Sequence, residues 1–133
     1  MKSVVPTALP RLATEPLLSA LIRSSNDAVI GKTADGTVLL GNETVEHLYG
    51  YRADETIGRE ISFLIPPDRP HELPHLLARV RAGEIVRNLR TERVRKDGTA
   101  VAVSITVTPA VDSNATVFGV STIVHDLPTT TSR

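Results

Sequence analysis

The 133-residue sequence contains no cysteine and no tryptophan, and its aromatic residues are two tyrosines and two phenylalanines. The absence of cysteine excludes disulfide bonds, thiolate metal sites and a cysteine nucleophile. The shortage of aromatics means that valine, leucine, isoleucine and alanine must build the core. Aliphatic walls suit an aliphatic ligand better than a planar ring that stacks on aromatic faces.

The sequence also lacks excess charge and long apolar runs. Its 15 lysines and arginines balance 15 aspartates and glutamates, so net charge gives no reason to expect a nucleic-acid or acidic-membrane partner. No apolar run approaches the ~20 residues that span a bilayer, and the amino terminus lacks the apolar block of a secretory signal. We expect one cytoplasmic domain with no membrane association.

The amino-terminal quarter divides into two expected segments. Residues 1–10 contain two prolines and no periodic pattern, and we expect them to be disordered. Residues 11–25 are expected to form an amphipathic helix. Its apolar face must cover the domain or a second copy of the chain, which predicts these dimer contacts: Leu17, Leu18, Leu21 and Ile22.

Residues 26–127 show the pattern of an α+β domain. Two short apolar runs flank an Asp35-Gly36 turn, and a second hairpin signal, Asp97-Gly98, separates two longer strand patterns. Between these hairpins lie short helical segments and one longer helix with leucines and a valine at i, i+3, i+4 and i+7, ended by Gly83. A last strand follows, in which Phe118, Val120, Thr122 and Val124 are expected to share a face, and residues 128–133 are interpreted as a linker. The order predicts a five-stranded antiparallel sheet with helices on one face.

The motifs of this region resemble those of the PAS (Per-ARNT-Sim) family. In fixed order they are residues 27–30 (DAVI) before an Asp-Gly turn, Asn42 with LYGY at 48–51, ETIGR at 55–59, LIPPDR at 64–69, RKDG at 95–98 and VHDL at 124–127. Each is weak alone, whereas the ordered set is a strong match.

The resemblance implies a sheet in strand order 2-1-5-4-3 whose helices enclose a pocket. It further implies homodimerisation through the amino-terminal helix and the outer sheet face. Output would pass from the end of the last strand to a covalently linked effector, such as a kinase or phosphatase. The resemblance is compatible with the amino-terminal sensor of a bacterial stress-response or sigma-factor regulator.

A small apolar ligand, similar to a fatty acid, is the leading hypothesis for the pocket. The candidate lining comprises Ile30, Leu48, Tyr49, Ile57, Ile61, Leu64, Leu73, Leu76, Leu77, Val80, Leu89, Val103, Ile105, Val120 and Thr122. An acid head group would want a cation or polar donor at the pocket mouth, for which the candidates are His75, Arg79 and Arg87. The alternative is a solid core in which these side chains pack on one another, leaving an interaction and dimerisation module.

Haem and flavin are disfavoured, and a haem-based sensor is the third alternative. His71 and His75 share a helical face near the start of the longer helix, but they flank its leucine stripe, so a haem or metal role is disfavoured. Light-sensing relatives need a cysteine that this chain does not have. The sequence contains no catalytic triad, paired carboxylates or phosphate-binding glycine loop, and we expect no enzyme activity.

Two further groups have structural interpretations. Arg87, Arg93 and Arg95 are expected on the solvent face of one strand, as a solvated surface or a dimer contact rather than a nucleic-acid site. Asn42 is expected to cap the helix that follows it, in preference to holding the neighbouring loop through its amide.

Overall fold

The computed structural model describes residues 16–17, 20–22 and 26–128. Pro16, Leu17 and residues 20–22 are helical, within the predicted amino-terminal helix. Leu17 and Leu21 are exposed and Ile22 is half-buried. The predicted disorder of residues 1–10, the rest of the predicted helix including Leu18, and the predicted linker beyond residue 128 lie outside the described residues.

Five antiparallel strands form one sheet, in the order β2-β1-β5-β4-β3. The strands are β1 (Ala28–Thr33), β2 (Val38–Gly41), β3 (Val86–Val94), β4 (Ala100–Val111) and β5 (Val117–Asp126). The predicted strand order and the α+β class are therefore confirmed. Because β5 lies between β1 and β4, the last strand of the sequence is the centre of the sheet.

The helices connect β2 to β3 and cover one face of the sheet. They are α1 (Glu43–Tyr49), α2 (Ala53–Thr56), a 3-10 helix (Ile61–Leu64) and α3 (Glu72–Arg81). Gly50 ends α1 in a left-handed conformation with φ 80°, which glycine adopts without the steric cost that a Cβ would bring. The prolines at 66 and 67 separate the 3-10 helix from α3.

The core lies between α3 and the inner face of the sheet. Alternate residues are buried on β1 and along most of β4, where the buried residues are Val101, Val103, Ile105 and Val107. From the helical side come Leu73, Leu76, Leu77 and Val80 of α3, all buried. The apolar stripe at helical spacing thus faces the alternating stripe of the strand, as the sequence predicts.

Of the three register shifts in the sheet, those on β3 and β5 change which of the predicted residues face inward. On β3 the register shifts between Val86 and Leu89, where Asn88 has φ 51° and its amide donates to Thr106 Oγ1 at 3.2 Å. On β5 the register shifts opposite Val111, which pairs with Val117 while Ala110 pairs with Gly119. Phe118 falls in this shift and is 63% exposed, which corrects its predicted place on the buried face of β5. A bulge turns the side chains beside it out of simple alternation.

Candidate ligand site in the interior

Helix α3 places its apolar side chains over the inner face of the sheet. Glu72 lies in its first turn, where the helix dipole favours an anion. Pro74 is in the same turn, where its missing amide hydrogen costs no helical hydrogen bond. Gly83 follows the helix with φ 92°. The helix is thereby fixed at both ends above the strands.

A small cavity remains between α3 and the sheet, with a volume of about 30 Å³. Nine of the predicted pocket residues line it: Ile30, Tyr49, Ile61, Leu64, Leu73, Leu76, Leu77, Ile105 and Thr122. Sequence reasoning missed five further lining residues: Lys32, Ile65, Arg93, Val107 and Val124. A cavity of this size has room for about one water molecule.

The remaining predicted lining residues lie elsewhere. Four of them are buried in the core without lining the cavity: Leu48, Val80, Val103 and Val120. Leu89 is half-buried and lines a surface groove between α3 and β3. Ile57 is 48% exposed, which corrects its assignment to the pocket. Helix α2 ends at Thr56, and Ile57 leaves it with extended backbone geometry, φ −63° and ψ 129°.

The predicted head-group residues also lie outside the cavity. His75 and Arg79 line the surface groove, and Arg79 donates from Nε to Glu84 Oε2 at 3.0 Å. Arg87 is exposed beside the β3 bulge. None of the three reaches the interior, so the structure corrects this prediction. The charged residues that line the cavity lie on strands instead.

Lys32 is the first of these charged residues. It follows Ala28 and Ile30 on the inner face of β1 and is only 7% exposed. Within residues 26–128 its ammonium group has no hydrogen-bond or carboxylate partner. Burial, and secondarily the positive charge of Arg93, lowers the pKa of Lys32 to about 8, since both disfavour its charged form.

Arg93 is the second, and it is 6% exposed on the inner face of β3. Its Nη1 lies 2.6 Å from Glu72 Oε2 on α3 and donates to the Glu92 carbonyl at 2.8 Å. The other carboxylate oxygen of Glu72 accepts from Thr91 Oγ1 at 2.5 Å. Arg93 is therefore an interior ion-pair partner of the helix, which corrects its predicted place on the solvent face.

Alternation along the strands contained the signal for both cations. Lys32 has the same parity as Ala28 and Ile30, and Arg93 has the same parity as Leu89. Charged residues are rarely buried, and this general rule favoured a surface position for them. The β3 bulge also separates Arg87 from the face that Arg93 occupies, so the arginines of this strand do not form one cluster.

Two more polar side chains approach the cavity. Thr122 Oγ1 on β5 is buried and has no hydrogen-bond partner among the described residues. Tyr49 is 1% exposed, and burial is the main cause that raises its pKa to about 12. Its hydroxyl therefore stays protonated at neutral pH. The cavity thus has aliphatic walls with a few polar groups, the usual composition of a small-molecule site.

The closed interior is too small for a haem or a flavin, as it is for a fatty-acid chain. A volume of about 30 Å³ is far below the roughly 300 Å³ or more of ligand pockets. His71 and His75 are both exposed rather than directed into the cavity. In the part of the chain that the structure describes, no group of three or more potential metal ligands comes together, and no helix is long and apolar enough to cross a membrane.

The side chain of Asn42 holds the chain segment that precedes β1. Its Oδ1 accepts from the Val29 amide at 3.0 Å, and its Nδ2 donates to the carbonyls of Asp27 and Ile22 at 2.9 and 3.1 Å. Although Asn42 occupies the N-cap position of α1, its side chain makes no capping hydrogen bond. The amide thus has the loop-holding role that the sequence analysis ranked second.

Comparison with protein-family models identifies the family. The model described as PAS domain matches residues 26–128, which comprise the whole sheet and its helices. The chain therefore belongs to the PAS domain family, a family of sensory modules, as its ordered motifs predict. No curated protein matches the chain.

Solved structures share this fold at low sequence identity. The PAS domain of a protein from Colwellia psychrerythraea is 21% identical with a TM-score of 0.77, over 86% of this chain and 97% of that one. A domain of a sensory box histidine kinase/response regulator from Geobacter sulfurreducens is 19% identical with a TM-score of 0.75, over 88% and 97%. An RNA-binding light-oxygen-voltage receptor is 21% identical with a TM-score of 0.81. The match includes 95% of this chain but only 36% of the receptor chain.

Proposed function

We propose that this PAS domain is a non-catalytic sensory module whose signal is the occupancy of its interior by a small amphiphilic ligand. The observation that carries the proposal is the polar lining of the cavity. Lys32, 7% exposed, lines the cavity with no ion-pair or hydrogen-bond partner among the described residues, and Thr122 Oγ1 is buried there without one. Because burying unpaired polar groups costs free energy, a core that served packing alone would be more stable with apolar residues at both positions.

The size of the cavity determines how such a ligand enters. At about 30 Å³ the closed interior does not accommodate a fatty-acid chain, so a chain of several methylenes enters only when α3 moves away from the sheet. A ligand that binds the open form more tightly shifts the domain toward it. Ligand size would then be coupled to helix displacement.

We further propose that the module works as a homodimer and passes its signal to a covalently linked effector, such as a kinase or phosphatase. Large apolar residues are exposed on β5 and on the described part of the amino-terminal helix: Leu17, Leu21, Phe118 and Ile123. Apolar surface of this kind supports a protein contact. The end of β5 is the expected route of output.

The second candidate is an interaction module with a filled core. The small volume of the cavity favours it, because one water would occupy the space. In this function the exposed apolar residues would act alone, and no ligand would be needed.

Two measurements separate these functions. Mass spectrometry of the denatured, purified protein, together with thermal-shift screening of small amphiphiles, should reveal a stoichiometric ligand or a raised Tm. If neither appears, the ligand proposal is wrong and the interaction module stands. Light scattering should show a dimer that Phe118→Asp/Ile123→Asp dissociates, whereas the control Ile57→Asp, an exposed apolar residue of the helical layer, should leave it intact.

A further inference from the structure

We propose that the ligand of the interior carries a carboxylate and that Lys32 and Arg93 bind this carboxylate together. This inference rests on the proposed function and names the chemistry of its ligand. It assigns recognition to two strand residues that line one cavity from opposite halves of the sheet, β1 and β3.

The ammonium group of Lys32 is unpaired among the described residues. Buried charges in proteins are normally paired, because an uncompensated one costs several kcal/mol, on the order of the stability of a domain. Lys32 is 7% exposed and lines the cavity, yet no carboxylate among the described residues is within ion-pair distance of it. Its pKa of about 8 leaves most of the lysine protonated at neutral pH. An anion placed in the cavity would supply the missing partner.

The residues around the cavity have a net positive charge. The charged residues that line the cavity are both cations, and Glu72 neutralises one of them. Arg69 lies near the same carboxylate, with Nη1 3.7 Å from Glu72 Oε1, and increases the positive excess. The interior therefore has an excess of at least one positive charge. This matches a monoanion, the charge of one carboxylate, better than a phosphate dianion.

The guanidinium of Arg93 has unused N–H donors. A guanidinium has five N–H donors in a planar fork, and the contacts of Arg93 with the described residues all use Nη1. The edge formed by Nε and Nη2 has no partner among residues 26–128. This edge can bind both oxygens of a carboxylate, the geometry in which arginine recognition is strongest.

The rest of the lining determines the body of the ligand. Helix α3 contributes three leucines to the lining, and the facing strands contribute Ile30, Ile105 and Val107. Tyr49 is the one aromatic residue of the lining. A short aliphatic acid combines a chain that these walls can bury with a head group for the two cations.

The test uses the purified chain, with hexanoate as the acid and hexan-1-ol as its neutral counterpart, in isothermal titration calorimetry at neutral pH. Lys32→Met removes the unpaired buried cation and keeps an unbranched side chain that is one atom shorter, so this variant should fold. Arg87→Met is the matched control, because it removes an exposed cation of the same strand as Arg93. Arg93→Met is measured as well, with circular dichroism as the check that it folds.

We expect hexanoate to bind the unmodified protein more tightly than hexanol. Lys32→Met should weaken hexanoate binding about tenfold or more, as loss of a charge-assisted contact does, and should leave hexanol binding unchanged. Arg87→Met should leave the affinities for both compounds unchanged. Amide chemical shifts should move on β1, β3 and α3. Equal affinity for acid and alcohol, or unchanged hexanoate affinity in Lys32→Met, would overturn the carboxylate inference while the ligand-binding function stood. If neither compound binds and no ligand is found by mass spectrometry, the proposed function itself fails.

Discussion

Glu72 at the start of α3 and Arg93 on β3 form an ion pair between the helix and the sheet, with Oε2 and Nη1 2.6 Å apart. Both side chains are largely buried, with exposed fractions of 14% and 8%. The hydroxyl of Thr91 donates to the same carboxylate. The helix and the strand that enclose the interior are therefore joined by charge as well as by apolar packing.

Glu72→Gln should destabilise the domain by about 2–4 kcal/mol, because it leaves the buried guanidinium of Arg93 without its countercharge. Urea unfolding followed by circular dichroism measures the change in the free energy of unfolding. The control is Glu84→Gln, which removes a carboxylate of the exposed pair with Arg79. This variant should change stability by no more than about 1 kcal/mol. Equal effects of the two substitutions would contradict the interior role of Glu72.

Lys32→Met should stabilise the domain by about 1–3 kcal/mol at neutral pH. The pKa of Lys32 falls from 10.5 in the unfolded chain to about 8 in the folded one, so below about 8 both states are protonated and folding bears the full cost of the buried charge. Between these values the unfolded chain holds more protons, and stability rises with pH.

The stability advantage of Lys32→Met should therefore shrink by about 2 kcal/mol between pH ~7.5 and ~9.5. This window ends below the pH at which ionisation of Tyr49, whose pKa is about 12 in the folded domain, would lower stability. Urea titrations of both proteins across the window measure the difference. A constant difference would mean that Lys32 titrates as it does in the unfolded chain.

Asn42→Ala should cost about 2–3 kcal/mol, because it removes one acceptor and two donor contacts and leaves the Val29 amide without its side-chain partner. Asn114→Ala, in the exposed turn between β4 and β5, is the control and should be nearly neutral. Hydrogen exchange should show faster exchange at Val29 in the Asn42 variant alone. Unchanged protection there would refute the loop-holding role.

Ile61→Ala should cost about 2–4 kcal/mol, because it removes buried methyl groups from the cavity wall. Ile57→Ala replaces the same residue type at an exposed position four residues earlier and should change stability by less than about 1 kcal/mol. Thermal unfolding of the two variants gives the comparison. Similar Tm losses would place Ile57 in the core after all.

Residue periodicity predicted most of the fold. The two Asp-Gly turns, the leucine stripe of α3 and the alternation of β4 each depend on local sequence, and the structure has the corresponding elements. Four of the nine predicted residues that line the cavity, Leu73, Leu76, Leu77 and Ile105, come from α3 and β4. Their inward orientation follows from parity or helical phase, which sequence alone shows.

The failures occurred where local rules compete with tertiary structure. Phe118 and the arginines of β3 lie at or near bulges, and no sequence pattern fixed the extra residue at Asn88. Arg93 is buried against the usual preference of arginine because Glu72 arrives from a helix 21 positions earlier in the sequence. The Asn42 side chain bonds the segment that precedes β1, because β1 brings that segment next to it. Helix-capping preferences describe only neighbouring residues and do not predict such a contact.

The central position of β5 has a mechanical consequence. Thr122 and Val124 form part of the cavity wall, and the same strand ends at Asp126, where Leu127 still donates to the Ala102 carbonyl at 3.0 Å. Four residues of extended chain span only about 13 Å. β5 is hydrogen-bonded to β1 on one side and to β4 on the other, so we expect a displacement of the wall at Thr122 to reach Asp126 with no flexible segment between them.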